Sequence, residues 1–335
     1  MGRRPVRNAG NRDGPVKRVA GIDCGTNSIR LLIADACGDD AGGLPRLVDL
    51  HRQMRVVRLG EGVDRSGLIS PQALARTRAA LTDYAELIRQ YSVEATRMVA
   101  TSASRDAGNS DEFVAMVREL LGIDPEVITG LAEAELSFTG AVAGLPGAAD
   151  PLLVADIGGG STELVLGTGV TGGTGRPSVL AAHSMDVGCV RMTERHLHTD
   201  PPRPAEIEAT LADLRSALAV AGTVVPVRQA ASFVGVAGTV TTIAAMALGL
   251  PRYDAAAIHG SVISYRQVAE VTDQLLAMTH QERAAIPVMH PGRVDVIGGG
   301  ALVLRTVLEF VGADAVIAGE HDILDGITLS AAGWR

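Results

Sequence analysis

The sequence predicts a two-lobed α/β protein, and three observations predict it. Apolar, β-branched runs such as "VAGID", "IRLLIAD" and "LLVADIGGG" alternate with stretches of helical spacing. The 335 residues exceed what one ordinary core accommodates, and a hydrophobic content of 47% is enough to fill two. The chain also repeats itself. "AGIDCGTNSIRLLIA" (20–34) aligns with "VADIGGGSTELVLG" (154–167) at an offset of 133 residues (156 − 23), so that Asp23 falls on Asp156, Gly25 on Gly158, Ser28 on Ser161 and Leu31 on Leu164.

The elements follow in order. Residues 1–17 are rich in arginine and lack the apolar stretch of a signal peptide, so they are expected to form a disordered basic tail. "VAGID" and "IRLLIAD" form a hairpin around "CGTNS", and "PRLVDLHRQMRVVRLG" continues the sheet. Ser70-Pro71 supplies an N-cap and first-turn proline for a helix marked by Leu74, Thr77, Leu81, Tyr84, Ile88 and Tyr91. "TRMVAT" reads as a strand, and "SASRDAGNSD" as a loop entering a helix with Phe113, Met116, Val117 and Leu120 on one side. After the strand "EVIT", Thr129 caps the helix "LAEAELSFTGAVAGL". The second strand-turn-strand follows, with strands to about Asp186 and then the helical "PPRPAEIEATLADLRSALAV". "SFVGVAG" is a strand, then come a threonine-rich turn, further helix and "DVIGGGALVLRTVLEF". "AVIAGEHDILDGITLSAAG" ends the chain as strand and helix.

Bulk properties exclude several functions. A net charge of −8 argues against a broad nucleic-acid footprint, so positive charge for an anionic ligand must be local. The longest apolar segment is too short and too rich in glycine and threonine to span a bilayer. Three widely spaced cysteines give neither a disulfide framework nor a zinc site, and a reducing cytoplasm is the expected setting. "GTGVTG" (167–172) fits a dinucleotide fingerprint by letter, but no helix follows it. "HLHTD" (His196, His198, Asp200) reads as a solvated helix end rather than a metal site, and His321-Asp322 lacks the further histidines of an HD site.

The duplicated turns carry the chemistry. A bend without side chains lets successive amides converge on a phosphate, with hydroxyls nearby as further donors. The first offers Gly25, Thr26, Asn27 and Ser28, the second Gly158, Gly159, Gly160 and Ser161. Ordinary glycine hairpins are the alternative for either turn alone. Their matching polar positions favour a clamp facing across a cleft.

In order, "IDCGTNSIRLLI", "ATSASRDAGN", "ITGLAEAELSFTGA", "ADIGGGSTELVLG", "MDVGCVRMTER", "GVAGTVTTIAA" and "VIGGGALVL" resemble the blocks of the exopolyphosphatase and guanosine pentaphosphate phosphohydrolase (Ppx/GppA) family, over about residues 18–330. The resemblance implies the actin-like, ribonuclease H-like duplicated ATPase superfold. It implies lobe I at 18–130, lobe II at 131–320 and a final segment, 321–335, returning to lobe I. Glu133 matches the family's general base, although its own position reads as a solvated acid at a helix N-terminus. Arg105 matches an arginine pointed at the phosphate chain, a role suited to a bidentate guanidinium. Asp156 and Glu163, with Asp23, would serve Mg²⁺ or another divalent cation such as Mn²⁺. Gly238 and Thr239, with "GGG" (298–300), resemble second-lobe loops that either contact ligand or permit close packing. Implied substrates are inorganic polyphosphate, which is favoured, or guanosine pentaphosphate (pppGpp) or another nucleotide, and homodimers occur in the family. Longer members carry an HD-like extension absent here, so short or medium chains are expected to be preferred. An ATP-dependent kinase and a non-catalytic nucleotide-binding module remain as other classes of the superfold.

Overall fold

The computed structural model describes residues 16–38, 46–145, 148–169 and 177–334. Most of the expected basic tail lies outside these residues, and Val16 and Lys17, counted with it, instead open the first strand. The first half contains β1 (Val16–Cys24), β2 (Ser28–Cys37), β3 (Arg46–Val56), α1 (Val63–Ser66), α2 (Pro71–Gln90), β4 (Ala95–Ala100), α3 (Ser102–Asp106), α4 (Ser110–Leu121), β5 (Glu126–Val127) and α5 (Gly130–Ala143). The second contains β6 (Leu152–Ile157), β7 (Thr162–Thr168), β8 (Ser178–Met185), α6 (Cys189–His196), α7 (Pro204–Val224), β9 (Ser232–Val236), α8 (Ala237–Ala247), α9 (Ala255–Ile258), β10 (Val262–Ser264), α10 (Tyr265–Ala277), α11 (His280–Ala284), α12 (Ile297–Val311), β11 (Ala315–Ala318) and α13 (Ile323–Ala331).

Two mixed sheets result, ordered β3-β2-β1-β4-β5 and β10-β11-β9-β6-β7-β8. Apart from the added edge strand β10, the second repeats the order of the first. The repetition reaches individual bonds. Gly25 N donates to Ser28 O and Gly158 N to Ser161 O, both at 3.0 Å. The β2–β3 register slips between Ile33 and Ala34, and β7–β8 slips between Leu166 and Gly167, the same offset away. A duplicated sequence therefore folds as a duplicated sheet. Each lobe has its own core, one including Ile22, Leu31, Tyr84 and Phe113, the other Leu164, Leu214, Ile243 and Leu302.

The helices differ from expectation at three points. "SASRD", expected as loop, is α3, with Ser104 N and Arg105 N both bonded to Thr101 O. The threonine-rich stretch forms the first turns of α8, where Thr242 Oγ1 returns to Gly238 O at 2.7 Å. The "GGG" run lies inside α12, because an added Cβ at Gly299 or Gly300 would meet Thr193 and Cys189, or Thr239. Packing against α6 and α8 thus overrides glycine's reluctance to be helical.

α5 and α13 cross where the lobes join. A Cβ at Gly140 would stand 1.8 Å from Asp322 O, and one at Gly326 would stand 2.1 Å from Leu136 O. α13 lies on the first sheet, with Thr328 against Gly21, and α5 on the second, with Gly130 against Ser184 and Phe138 against Gly167. Each sheet therefore contributes one helix to the crossing.

Candidate active site

The turns β1–β2 and β6–β7 meet at a cleft between the lobes. They approach so closely that a Cβ at Gly159 would lie 2.9 Å from Thr26 Cβ, and one at Gly160 would lie 2.6 Å from both Thr26 Oγ1 and Ser102 Oγ. The amides of Thr26, Asn27, Gly159 and Gly160 have no acceptor among the described residues. Gly25, Thr26, Asn27, Ser28, Gly158, Gly159 and Ser161 line the cleft with Gly238 and Thr239, whereas Gly160 turns towards Thr26, Ser102 and Arg191. Beside Gly238, Ala237 holds a left-handed φ of 70°, a strained conformation for a residue with a side chain.

Glu133 enters from the first turn of α5, where Thr129 Oγ1 accepts the Ala132 amide. It is buried, and burial rather than helix-end solvation governs it: desolvation pushes its carboxyl up to about 8, with Asp156 and Asp23 adding to the rise and Arg105 opposing it. Arg105 Nη1 donates to Glu133 Oε2 at 3.2 Å and to Ile128 O at 3.0 Å. Arg105 therefore sits behind the acid and does not line the cleft.

One helical turn past Glu133, Ser137 donates to Asp156 Oδ2 at 2.5 Å. Asp156, at the end of β6, is pushed up to about 7, chiefly by burial. Its cross-strand partner Glu163 is raised for the same reason, accepts from Ser184 at 2.7 Å and stands behind the cleft wall. Asp23 occupies the matching place in the first hairpin, but its cross-strand partner is Arg30, which binds it at 2.6 Å and also pairs with Asp322, the N-cap of α13. Asp23 Oδ1 is buried without a partner.

These carboxylates suit a hard divalent cation, and the orphaned Oδ1 marks where a further positive partner is needed. Among the described residues no three His, Cys, Asp or Glu side chains draw close enough to enclose a metal. A cation here would therefore draw its remaining ligands from water and phosphate, as Mg²⁺ commonly does.

Sequence reasoning passed over Arg30, Ser137, Ser184 and Arg293. Arg30 was legible as the counterpart of Glu163 at the duplication offset. Arg293 lies in an unremarked loop, lines the cleft, and donates to Gly238 O at 3.0 Å and to Thr242 Oγ1 at 2.9 Å. It has no carboxylate within ion-pairing distance among the described residues. Outside the cleft, His196 pairs with Asp213 and Asp200 with Arg283, while His198 is exposed. "GTGVTG" lies partly outside the described residues, and among them no helix is long and apolar enough to cross a membrane.

Comparison with known proteins places these features. The Ppx/GppA phosphatase family matches residues 38–333. Exopolyphosphatase 2 of Mycobacterium tuberculosis is 52% identical over 94% of this chain and 99% of its own. Among solved structures, an exopolyphosphatase-like protein is similar at TM-score 0.86 and 42% identity, covering 93% of this chain and 98% of that one. A Ppx/GppA family member from Aquifex aeolicus is similar at TM-score 0.76 and 30% identity, covering 95% and 98%.

Proposed function

Because the chain belongs to the Ppx/GppA phosphatase family, we propose that it is an exopolyphosphatase, releasing orthophosphate from the end of an inorganic polyphosphate chain. One observation carries this reading: two turns with unpaired amides meet at a cleft into which a buried carboxyl, Glu133, projects. The turns would hold the terminal phosphate with Ser28, Ser161 and Thr239. Glu133 would take a proton from a water placed in line with the terminal phosphorus. The new O–P bond forms as the bridging P–O bond breaks, and the electron pair leaves with the shortened chain.

Asp156 would hold the divalent cation, with Asp23 from the facing hairpin, while Glu163, behind the cleft wall, would add negative charge without reaching it. When bound, Mg²⁺ would spread negative charge over the phosphate oxygens. Arg105 tempers the rise in Glu133's affinity for a proton, while Arg293 is the cleft guanidinium left to meet phosphate. The three unpaired cysteines support a cytoplasmic setting.

A second reading keeps the chemistry and changes the substrate. A neighbouring open pocket shares Arg30, Ala237, Gly238 and Arg293 with the cleft and is walled by Tyr253, Val288, Met289 and Pro291. That apolar wall could receive the nucleoside end of guanosine pentaphosphate. Phosphate release from polyphosphate, guanosine pentaphosphate and ATP, measured with and without Mg²⁺, tests both. Polyphosphate is expected to be cleaved with the highest kcat/KM. A preference for guanosine pentaphosphate would select the second reading, and cleavage of none would reject both.

A further inference from the structure

Besides the helix crossing and the contacts of Arg58 with Asp295 and of Asn27 with Gly292, the lobes touch along a rim built on one arginine. Arg191, on α6 of the second lobe, is largely buried and divides its guanidinium among three acceptors. Nε donates to Gly160 O at 2.7 Å, Nη1 to Asp64 at 2.8 Å and Nη2 to Asp106 at 2.5 Å. Gly160 belongs to the second glycine turn, whereas Asp64 and Asp106 belong to α1 and α3 of the first lobe. Its own amide donates to Gly159 O at 3.1 Å, so backbone and side chain grip the same turn.

The rest of α6 reinforces the contact. Arg195 also reaches Asp64, at 3.0 Å, and the Glu194 carboxylate accepts the Gly62 amide at 3.2 Å. α1 is flanked by Gly62 and Gly67, both left-handed at φ 74° and 69°, so this single turn of helix is bounded by two bends that favour glycine. Asp106 follows Arg105, which holds Glu133. One guanidinium thus ties a phosphate-binding turn to the facing lobe and to the segment supporting the acid. A planar fork is suited to this; a lysine ammonium has no such geometry.

We propose that Arg191 is a positioning residue: it sets the second glycine turn against the first lobe and stabilises the closed cleft in which both turns grip one phosphate. This rests on the cleft being a phosphoanhydride hydrolysis site. Without the contact the closed form is less populated, so substrate affinity falls before the chemical step does.

Two measurements on the full chain test it. In phosphate-release kinetics on medium-chain polyphosphate with Mg²⁺, Arg191→Ala should raise KM about tenfold while kcat falls less than about threefold. Arg191→Lys should recover part of the loss, and Asp64→Asn with Asp106→Asn should reproduce it from the other lobe. In the second, spin labels on Gln90→Cys of α2 and Ser216→Cys of α7, both exposed, report the inter-lobe distance in a Cys37→Ser background with Cys24 and Cys189 buried. Arg191→Ala and the aspartate pair should each broaden or lengthen that distance. The proposal is overturned if the distances superimpose on the parent, or if kcat falls with KM unchanged. If the parent releases phosphate from no substrate, the functional reading fails, and the label distances still decide whether Arg191 holds the lobes together.

Discussion

Replacing Glu133 by glutamine should make the protein more stable as well as inactive, and the gain should depend on pH. Glu133 is 7% exposed, and its carboxyl is displaced from an ordinary 4.5 to about 8. At ~1.4 kcal/mol per pKa unit, ionising it inside the fold costs up to ~5 kcal/mol relative to the unfolded chain. Water entering the cleft relieves part of this, so about 2 kcal/mol is expected at pH 8.5. The sign follows from proton binding. With its affinity for a proton raised by folding, Glu133 favours the folded state fully below pH 4.5, and that contribution is lost as pH rises through about 8. Glutamine resembles the protonated acid at every pH. Thermal melts in chelator should therefore place Glu133→Gln roughly 2–4 °C above the parent at pH 8.5, narrowing to within about 1 °C at pH 5. Phosphate release should fall about 10²–10⁴-fold in the same variant. A variant no more stable than the parent at pH 8.5, or a gap equal at both pH values, would refute the argument that burial sets this acid's proton affinity.

Two other outcomes follow from the same geometry. Arg105 opposes the rise at Glu133, so Arg105→Ala should move the alkaline rise of the kcat/KM against pH profile to higher pH; an unmoved limb would count against their pairing. Gly140→Ala should lower stability by about 3 kcal/mol, because its methyl would stand 1.8 Å from Asp322 O, whereas Gly298→Ala, with 3.5 Å to its nearest neighbour, should be tolerated in parallel melts.

Much of this was legible in the chain because the informative features were local or repeated. Strand-turn-strand units announce themselves through alternation and glycine, and a constant offset paired Asp23 with Asp156 before any sheet was drawn. What stayed hidden depends on contacts distant in sequence. Whether an acid at a helix start is solvated or buried cannot be read from "TGLAEAE", since Arg105, Asp156 and Asp23, all distant in sequence, surround it. For the "GGG" of α12 the sequence left ligand contact and close packing open, because the partners that decide for packing, Cys189, Thr193 and Thr239, lie on two other helices. Arg191 sits within a recognised block, yet its three acceptors come from three separate segments.

The duplication also explains why the two hairpins had to diverge. At equivalent cross-strand positions one lobe carries Arg30 and the other Glu163. With an acid at both, Asp23, Glu133, Asp156, Glu163 and the residue at 30 would share one buried space with Arg105 as their near cation. The cost of desolvating that many carboxylates would drive most of them to the neutral form. With arginine at both, Asp156 would be ion-paired through one oxygen as Asp23 now is, and the cleft would attract a divalent cation far less. One of each leaves the first turn near neutrality, able to take up phosphate, and leaves the second acidic enough to need a cation. A symmetric frame thereby places unlike charges on either side of a single phosphate. Exchanging Arg30 and Glu163 is accordingly not a neutral swap, because Arg30 pairs with Asp322 as well as Asp23, whereas Glu163 sits among the like charges of Glu133 and Asp156.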